Sequence, residues 1–502
     1  MPKSQRLTPR VLIAGLALLA VAVVTGCGST VQLGANATGS LASGTVDGLS
    51  ATTTDAPSGS PTQLSDTGPG SSNGAGGASD APTAIATTAV DTSPDASSVT
   101  GPAANTKPIA LGFTTTATSN AAGAGYSSGS TMGDDQIIKA VAAYYNAHGG
   151  LQGRKINPIL AYTDTGGSDW ASEFQAACAT FTQDNHVSAV LGYQFVHLDS
   201  YEQCLTKAGV PHANGGFQPG DAAAQAQFPN LVSIAHPSVD VADIAVIDGA
   251  LRSGVITTKT KIGLIIDDCS HGYRAFDRSM KPWLDARKLN YDVVKGPCGS
   301  GAGDLGSAAS ALASAELKFS SDGVKAVYGS AVVVLLFSAA ASSQNYHPLY
   351  LTGIGGAALE PNMPKGQVEN VHGFGWMPAE DVAPNHQPYG RTAAQTACLK
   401  MLNAAGLKPQ KFNDFMIAYT TCDAVSMYAR ALDIAKGDIR QTAILPALTE
   451  AMVGFKGAVT YGGGLINVPK QRGGAALYRH YRYTSGCSCY TYTGPTYAMP
   501  RI

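Results

Sequence analysis

The chain has 502 residues, 33 of them Lys or Arg against 35 Asp or Glu, for a formal net charge of −2 with only 14% of residues charged. No basic run stands out, which excludes nucleic acid as a partner class. The length exceeds what one core usually organises, so two domains or lobes are expected.

Lys3, Arg6 and Arg10 open the sequence, followed by a run of 14 mostly aliphatic residues from Val11 to Val24 and then Thr25, Gly26 and Cys27. The run falls short of the ~20 apolar residues of a membrane span. A basic start, a short apolar stretch and small residues before a cleavage point make a secretory signal peptide. The tetrad Val24-Thr25-Gly26-Cys27 resembles a bacterial lipobox. Residues 1–27 are therefore expected to be a lipoprotein signal peptide, cut before Cys27. A lipid on Cys27 would hold the chain to the extracytoplasmic face of the cell membrane.

Residues 28–107 are expected to be a disordered linker. Gly28 to Thr106 contains no Lys, Arg, Phe, Tyr or Trp, and a Ser/Thr/Ala/Gly/Pro-rich segment cannot bury enough apolar surface to offset chain entropy. It is either a bare spacer or carries O-glycans on clusters such as Ala51-Thr52-Thr53-Thr54.

From Pro108 onward, short apolar runs alternate with helical periodicity. Strands are predicted at 108–113, 156–160, 187–192 and 210–213, with helices at 134–148, 168–184 and 198–208 between them. Pro158 makes the second of these strands unusual. A second series follows: strands at 262–266, 291–294, 326–328 and 349–351, with helices at 272–287, 305–319 and 332–344. Strands separated by helices imply parallel sheets covered on both faces. Two such series imply two similar α/β lobes.

Apart from Cys27, eight cysteines remain: Cys178, Cys204, Cys269, Cys298, Cys398, Cys422, Cys487 and Cys489. An even number in an exported chain reads as disulfides. Spacing alone does not fix connectivity. Local topology suggests Cys178 with Cys204, Cys269 with Cys298 and Cys398 with Cys422, leaving Cys487 and Cys489 as a tight loop. No paired C-x-x-C or histidine cluster completes a metal site, and no phosphate loop of the G-x-x-x-x-G-K-S type is present. Neither a metal nor a cofactor is expected. Asp267, Asp268, Ser270 and His271 crowd together, but the sharply turned G-x-S-x-G elbow of a hydrolase is missing. His372 and His386 stand without a partner pattern. The chain is thus not expected to be an enzyme, an exported hydrolase being the rival reading.

The stretch Ala143-Tyr144-Tyr145-Asn146-Ala147-His148-Gly149-Gly150-Leu151-Gln152-Gly153-Arg154-Lys155-Ile156 resembles the N-A-x-G-G-I-x-G-R-K-I segment of type I periplasmic binding proteins, the leucine/isoleucine/valine-binding group of ABC-transporter substrate-binding proteins. Val187 to Gly192, Lys261 to Asp268 and Phe415 to Ala435 look like further segments of that family. The resemblance implies two doubly wound parallel-sheet lobes joined by a hinge of three crossovers. These would lie near Ala235–Ser238, near Phe374–Pro378 and after Phe455. Residues 108–236 and 376–456 would form lobe I, and 237–375 and 457–502 lobe II. A small ligand (an amino acid, an amide or a small aromatic acid) would bind between the lobes, and an ABC-transporter permease would receive it. A sensor of the same fold is the alternative.

The pocket implied by the resemblance draws Tyr126, Tyr193, Gln194, Phe195, Gly216, Phe217 and Gln218 from lobe I. From lobe II it draws Ser270, His271, Tyr273, Tyr328 and Ser330. Amino-acid-binding members place an acid in a loop like Thr352-Gly353-Ile354-Gly355-Gly356 to hold the ligand ammonium. Here that loop is uncharged. Either Glu360 or an aspartate such as Asp268 substitutes, or the ligand is not an ordinary α-amino acid.

Overall fold

The computed structural model describes residues 107–116, 130–164, 167–216, 220–301, 304–383, 391–461, 464–468 and 471–502. Residues 1–106, which hold the expected signal peptide, Cys27 and the expected linker, lie outside the described residues. Among the described residues no helix is long and apolar enough to cross a membrane.

The first lobe begins β1 (Ile109–Thr116), α1 (Asp134–Ala147), β2 (Ile156–Thr163), α2 (Trp170–Ala179), β3 (Ala189–Gly192), α3 (Asp199–Lys207), β4 (His212–Asn214), α4 (Ala222–Gln227) and β5 (Leu231–Ser233). The chain then enters the second lobe through α5 (Val239–Arg252), β6 (Lys261–Asp267), α6 (Ser270–Ala275), α7 (Lys281–Ala286), β7 (Asn290–Gly296) and α8 (Leu305–Ser321). That lobe continues with β8 (Ala326–Tyr328), α9 (Ala331–Ser343), β9 (Leu349–Thr352), α10 (Gly356–Asn362) and β10 (Val371–Gly375). After α11 (Pro378–Asp381), α12 (Ala393–Ala404), α13 (Phe412–Ile434) and α14 (Gln441–Ala451) come β11 (Leu465–Val468) and β12 (Gln471–Ala475), and finally β13 (Leu477–Thr484) and β14 (Cys489–Ala498).

Among the described residues the strands form two seven-stranded sheets, ordered β11-β12-β5-β4-β3-β1-β2 and β14-β13-β10-β9-β8-β6-β7. Five successive strands of each are parallel, β2-β1-β3-β4-β5 in one and β7-β6-β8-β9-β10 in the other. This is a doubly wound order, with its switch point between the first and third strands. Pro158 is accommodated because β2 is an edge strand, where a missing N–H breaks no ladder bond. The third crossing differs from expectation. Residues 465–475 still belong to the first sheet, and the chain crosses at Ala476 rather than soon after Phe455.

The two lobes solve the same packing problem twice. Gly112 in β1 lies under the ring of Phe181, and Gly263 in β6 under that of Phe319. A Cβ on either glycine would come within 2.8 Å and 2.6 Å of its ring, so each central strand is kept bare to admit an aromatic residue from the crossover between the second and third strands of its lobe. The segment 143–156 also has a physical account. The Asn146 amide donates to the Ile156 carbonyl at 2.9 Å and accepts from the Ile156 N–H at 2.6 Å, clipping the end of α1 to the start of β2. Gly150 has φ +71°, and a Cβ there would collide with the Arg154 carbonyl, so the turn demands glycine.

Helix α13 is the buried spine of lobe I. Asp423 on it accepts the Ala458 and Val459 N–H groups at 2.8 and 2.9 Å, and Tyr428 meets the Ser188 hydroxyl at 2.6 Å.

Disulfides join Cys178 to Cys204, Cys269 to Cys298, Cys398 to Cys422 and Cys487 to Cys489. Cys398–Cys422 is buried between α12 and α13 and closes a loop with a sequence separation of 24. A loop of that size constrains the unfolded chain by about 3 kcal/mol. The double variant Cys398→Ala/Cys422→Ala is expected to lose about that much stability in denaturant unfolding. Cys487→Ser/Cys489→Ser, which opens a loop with a separation of only 2, should lose clearly less.

Candidate functional site

The loops that leave the carboxyl ends of the two sheets meet along a seam. At one end, Asp240 at the start of α5 accepts the Ala222 N–H at 2.6 Å and the Ser279 hydroxyl at 2.7 Å. Next, Arg274 of α6 donates through Nε and Nη2 to the two oxygens of Asp221, both at 2.6 Å. That carboxylate is 1% exposed and also caps α4 through the Ala224 N–H. Further along, the rings of His197 and His271 lie 5.1 Å apart. Ser270 donates to Asp199 at 3.3 Å, and the Trp170 N–H donates to the Ser300 carbonyl at 3.1 Å.

Several expected residues sit on this seam or beside it. Ser270 and His271 contact the opposite lobe directly. Burial lowers His271 to about 4, with His197 adding to the shift, so it is neutral. Tyr193 receives the Thr114 hydroxyl on its carbonyl at 2.7 Å. Burial raises its phenol well above the usual value, and the nearby carboxyls of Glu380 and Asp134 add to that. Tyr328 donates to Asp243 at 2.6 Å. Ser330 is exposed and caps α9 with its carbonyl, at 2.9 Å from the Val334 N.

Others are structural. Phe195 packs its ring on Trp170 and Phe174, supporting the tryptophan that reaches lobe II. Gln194 donates to the Val196 carbonyl of its own loop, and Gly216 crosses so closely that a Cβ would strike the Gln194 carbonyl. Tyr273 lies beneath Lys295, whose ammonium is 4.4 Å from the ring centroid. Tyr126, Phe217 and Gln218 lie outside the described residues, as does His386. His372 is not solitary: its ring stacks on His480, with Nδ1 3.1 Å from Nε2. Among the described residues no group of His, Cys, Asp and Glu could hold a metal ion.

The uncharged loop Thr352–Gly356 has an acid beside it that the sequence reading missed. Asp268 is paired with Lys295 at 2.8 Å, and Glu360 accepts the Tyr490 N–H at 3.2 Å, so both proposed substitutes are engaged elsewhere. Glu380 of α11, by contrast, is 1% exposed and neither of its carboxyl oxygens has a hydrogen-bond partner among the described residues. Its neighbour Asp381 accepts the Tyr492 hydroxyl at 2.7 Å and the Met377 N–H at 3.1 Å. The Asp381 carbonyl lies where a Cβ of Gly356 would fall, which fixes α11 against that loop.

No protein-family model and no curated protein matches the chain. Among solved structures it is similar to a possible leucine/isoleucine/valine-binding protein from Rhodopirellula baltica, at 16% identity and a TM-score of 0.54, over 78% of this chain and 97% of that one. An ABC-transporter substrate-binding protein from Desulfitobacterium hafniense in complex with Leu matches at 14% identity and 0.52, over 77% and 100%. A solute-binding protein of an ABC transporter from R. palustris in complex with 4-hydroxybenzoate matches at 13% and 0.56, over 78% and 97%. The chain has the type I periplasmic binding fold. At these identities the likeness is one of fold.

Two signals pointed to the missed residues. Glu380 and Asp381 close the apolar stretch Phe374-Gly375-Trp376-Met377-Pro378-Ala379, where an acid is out of place. Arg274 is a cation one helical turn beyond Ser270 and His271.

Burial raises Glu380 to about 8, and Asp243 and Asp423 to about 7. Such a carboxyl holds its proton more tightly when folded, and its stabilisation is lost as pH rises from the unfolded value through the folded one. The buried histidines oppose this. His236 is lowered to about 3 and His271, His372 and His480 to about 4, so they destabilise the fold only below the ordinary histidine value of ~6.5. Between about pH 6.5 and 8 the carboxyls alone decide the sign. The melting temperature is therefore expected to fall over that range. Glu380→Gln should flatten the fall, by on the order of 1 kcal/mol at pH 8; a melting curve series at both pH values checks this.

Proposed function

We propose that the chain is an extracytoplasmic solute-binding lipoprotein that takes one small polar or amphipathic ligand between its lobes and delivers it to the permease of an ABC importer. The observation that carries this reading is the juxtaposition, across the cleft, of loops from the carboxyl ends of both sheets: His197 with His271 and Asp199 with Ser270. In open α/β sheets that edge is where small molecules bind. The solved neighbours that hold Leu and 4-hydroxybenzoate support it, and an amino acid, amide or small aromatic acid is the inferred class.

Binding rather than catalysis is supported by the use of the crowded polar residues. Ser270 turns its hydroxyl to the Asp199 carboxylate of the other lobe, and Asp268 pairs with Lys295. Hinge closure about the three crossings is the motion such a clamp uses.

A ligand that binds only the folded state stabilises it by ~2.7 kcal/mol at a hundred times its Kd. A screen of amino acids, amides and aromatic acids against the full chain in detergent is expected to yield a compound that raises the melting temperature. Arg274→Ala leaves the buried Asp221 carboxylate unpaired at the seam. It should weaken binding of that compound at least roughly tenfold and enlarge the scattering radius of the liganded protein. Hydrolytic turnover of a screened compound would overturn the reading.

The anchor rests on the tetrad ending at Cys27. Cys27→Ala is expected to abolish both cleavage and the diacylglycerol mass increment in intact-mass spectra. A lipid increment persisting in that variant would refute the assignment.

A further inference from the structure

Two glycines of lobe II are kept bare by the other lobe. A Cβ on Gly301 would lie 2.5 Å from the Ser168 carbonyl oxygen and 2.9 Å from that of Gly167, and a Cβ on Gly299 would lie 3.4 Å from the Trp170 ring. Apart from the adjoining residues, no atom of lobe II comes nearer to either position. Neither glycine has a positive φ, so the backbone would accept an L side chain at both. Gly112 and Gly263 are different, because each is bare for an aromatic ring of its own lobe. The demand for glycine at 299 and 301 exists only while the lobes are together.

Both sides of this contact are held in place by their own lobe. In lobe II, Cys298 is bonded to Cys269, and the Ser300 N–H and hydroxyl donate to the Asp304 carboxylate at 2.7 and 2.9 Å. The Ser300 carbonyl accepts the Trp170 N–H at 3.1 Å. In lobe I, Trp170 is the first residue of α2, where N–H groups have no acceptor within the helix. Asp169 takes the Ser172 N–H and hydroxyl at 3.1 and 2.5 Å, so the Trp170 N–H is answered by the other lobe. Phe195 backs the Trp170 ring edge-on, with centroids 5.1 Å apart, and Cys178–Cys204 ties α2 to α3. Parts already fixed lose little conformational freedom on docking, so even a small contact of this kind favours the docked state.

We propose that Gly299–Ser300–Gly301 is a closure latch: a strap of lobe II that seats against Gly167, Ser168 and Trp170 of lobe I and holds the clamp shut without a solute. Gly299 and Gly301 are positioning residues, acting through the set of the lobes. The strap follows β7 and its seat follows β2, the edge strands of the two parallel series. A closed state populated in advance removes part of the conformational cost that a solute would otherwise meet. The latch rests on the solute-binding reading only for the closing motion. Its test adds no solute, so its failure leaves that reading standing.

The test follows deuterium exchange of the Trp170 amide by residue-resolved mass spectrometry, on the full chain in detergent. Because the acceptor of that amide belongs to the opposite lobe, its exchange rate measures the open fraction. In the parent it should exchange at least roughly tenfold more slowly than an unprotected amide. Gly301→Ala and Gly299→Val should bring it close to the unprotected rate while the amides of α13 keep their protection. Asp304→Ala removes the anchor of the strap within lobe II and should raise the rate in the same direction. Gly306→Ala, where a Cβ meets nothing within 4 Å, should leave it as it is. An unprotected Trp170 amide in the parent overturns the latch. So does parent-like protection in all three seam variants. If every variant that exposes Trp170 exposes α13 equally, the contact is structural and the proposal falls.

Discussion

Parallel strands cannot be joined by a tight turn; each pair needs a crossover that runs back over a face of the sheet. Most of this molecule follows from that constraint. It puts helices on both faces, so the central strands are covered on both sides: β3 and β4 are buried at every position, and the polar His212 and Asn214 of β4 are hydrogen-bonded there. It also sends every strand-to-helix loop to the same edge. With two such sheets facing each other, polar residues from separate parts of the chain gather at one cleft without any sequence motif to mark them. Asp221 and Arg274 lie 53 positions apart, and Asp199 and Ser270 lie 71 apart.

That explains what could be read from the amino acids and what could not. The strand–helix alternation and the glycine turn after α1 depend on local spacing and are visible in the chain, and three cysteine pairs follow from the order of the elements that spacing defines. Asn146 and Gly150 are recognisable because both act within a dozen residues. The seam is different, since its pairs exist only once two lobes are placed. Side-chain direction within a loop was equally hidden: Phe195 and Tyr273 follow strand ends, yet one faces Trp170 and Phe174 and the other packs under Lys295. The last crossing was misplaced because β11 and β12 are short and their return to the first sheet is a tertiary event. The burial of Glu380 has the same origin, for α11 is four residues long and is positioned by close contact with Gly356 of another loop.

The interior carries an unusual load of acid. Asp243, Asp267, Glu380, Asp381 and Asp423 are all held above the ordinary carboxyl range by burial. Two backbone N–H groups answer Asp423, a tyrosine answers Asp243, and a tyrosine with a backbone N–H answers Asp381. Those bonds make the acids structural: each ties one element to another and recovers part of its desolvation cost.

Covalent and polar contacts are also divided by location. Each of the four disulfides lies inside one lobe: Cys178–Cys204 and Cys398–Cys422 in the first, Cys269–Cys298 and Cys487–Cys489 in the second. Cys269–Cys298 ties the loop before Ser270, His271 and Arg274 to the one before Ser300, so the lobe II side of the seam is held as a unit. Cys178–Cys204 does the same for α2 and α3, which carry Trp170 and Asp199. An apolar core runs through both lobes, but the seam between their loops consists of an ion pair, hydrogen bonds and ring contacts, which water can replace at small net cost. A chain stiffened within its halves, with exchangeable contacts between the loops at the seam, leaves the crossings as the places where the backbone can bend. That is the mechanical condition for a clamp to close as two rigid bodies instead of deforming around what it binds.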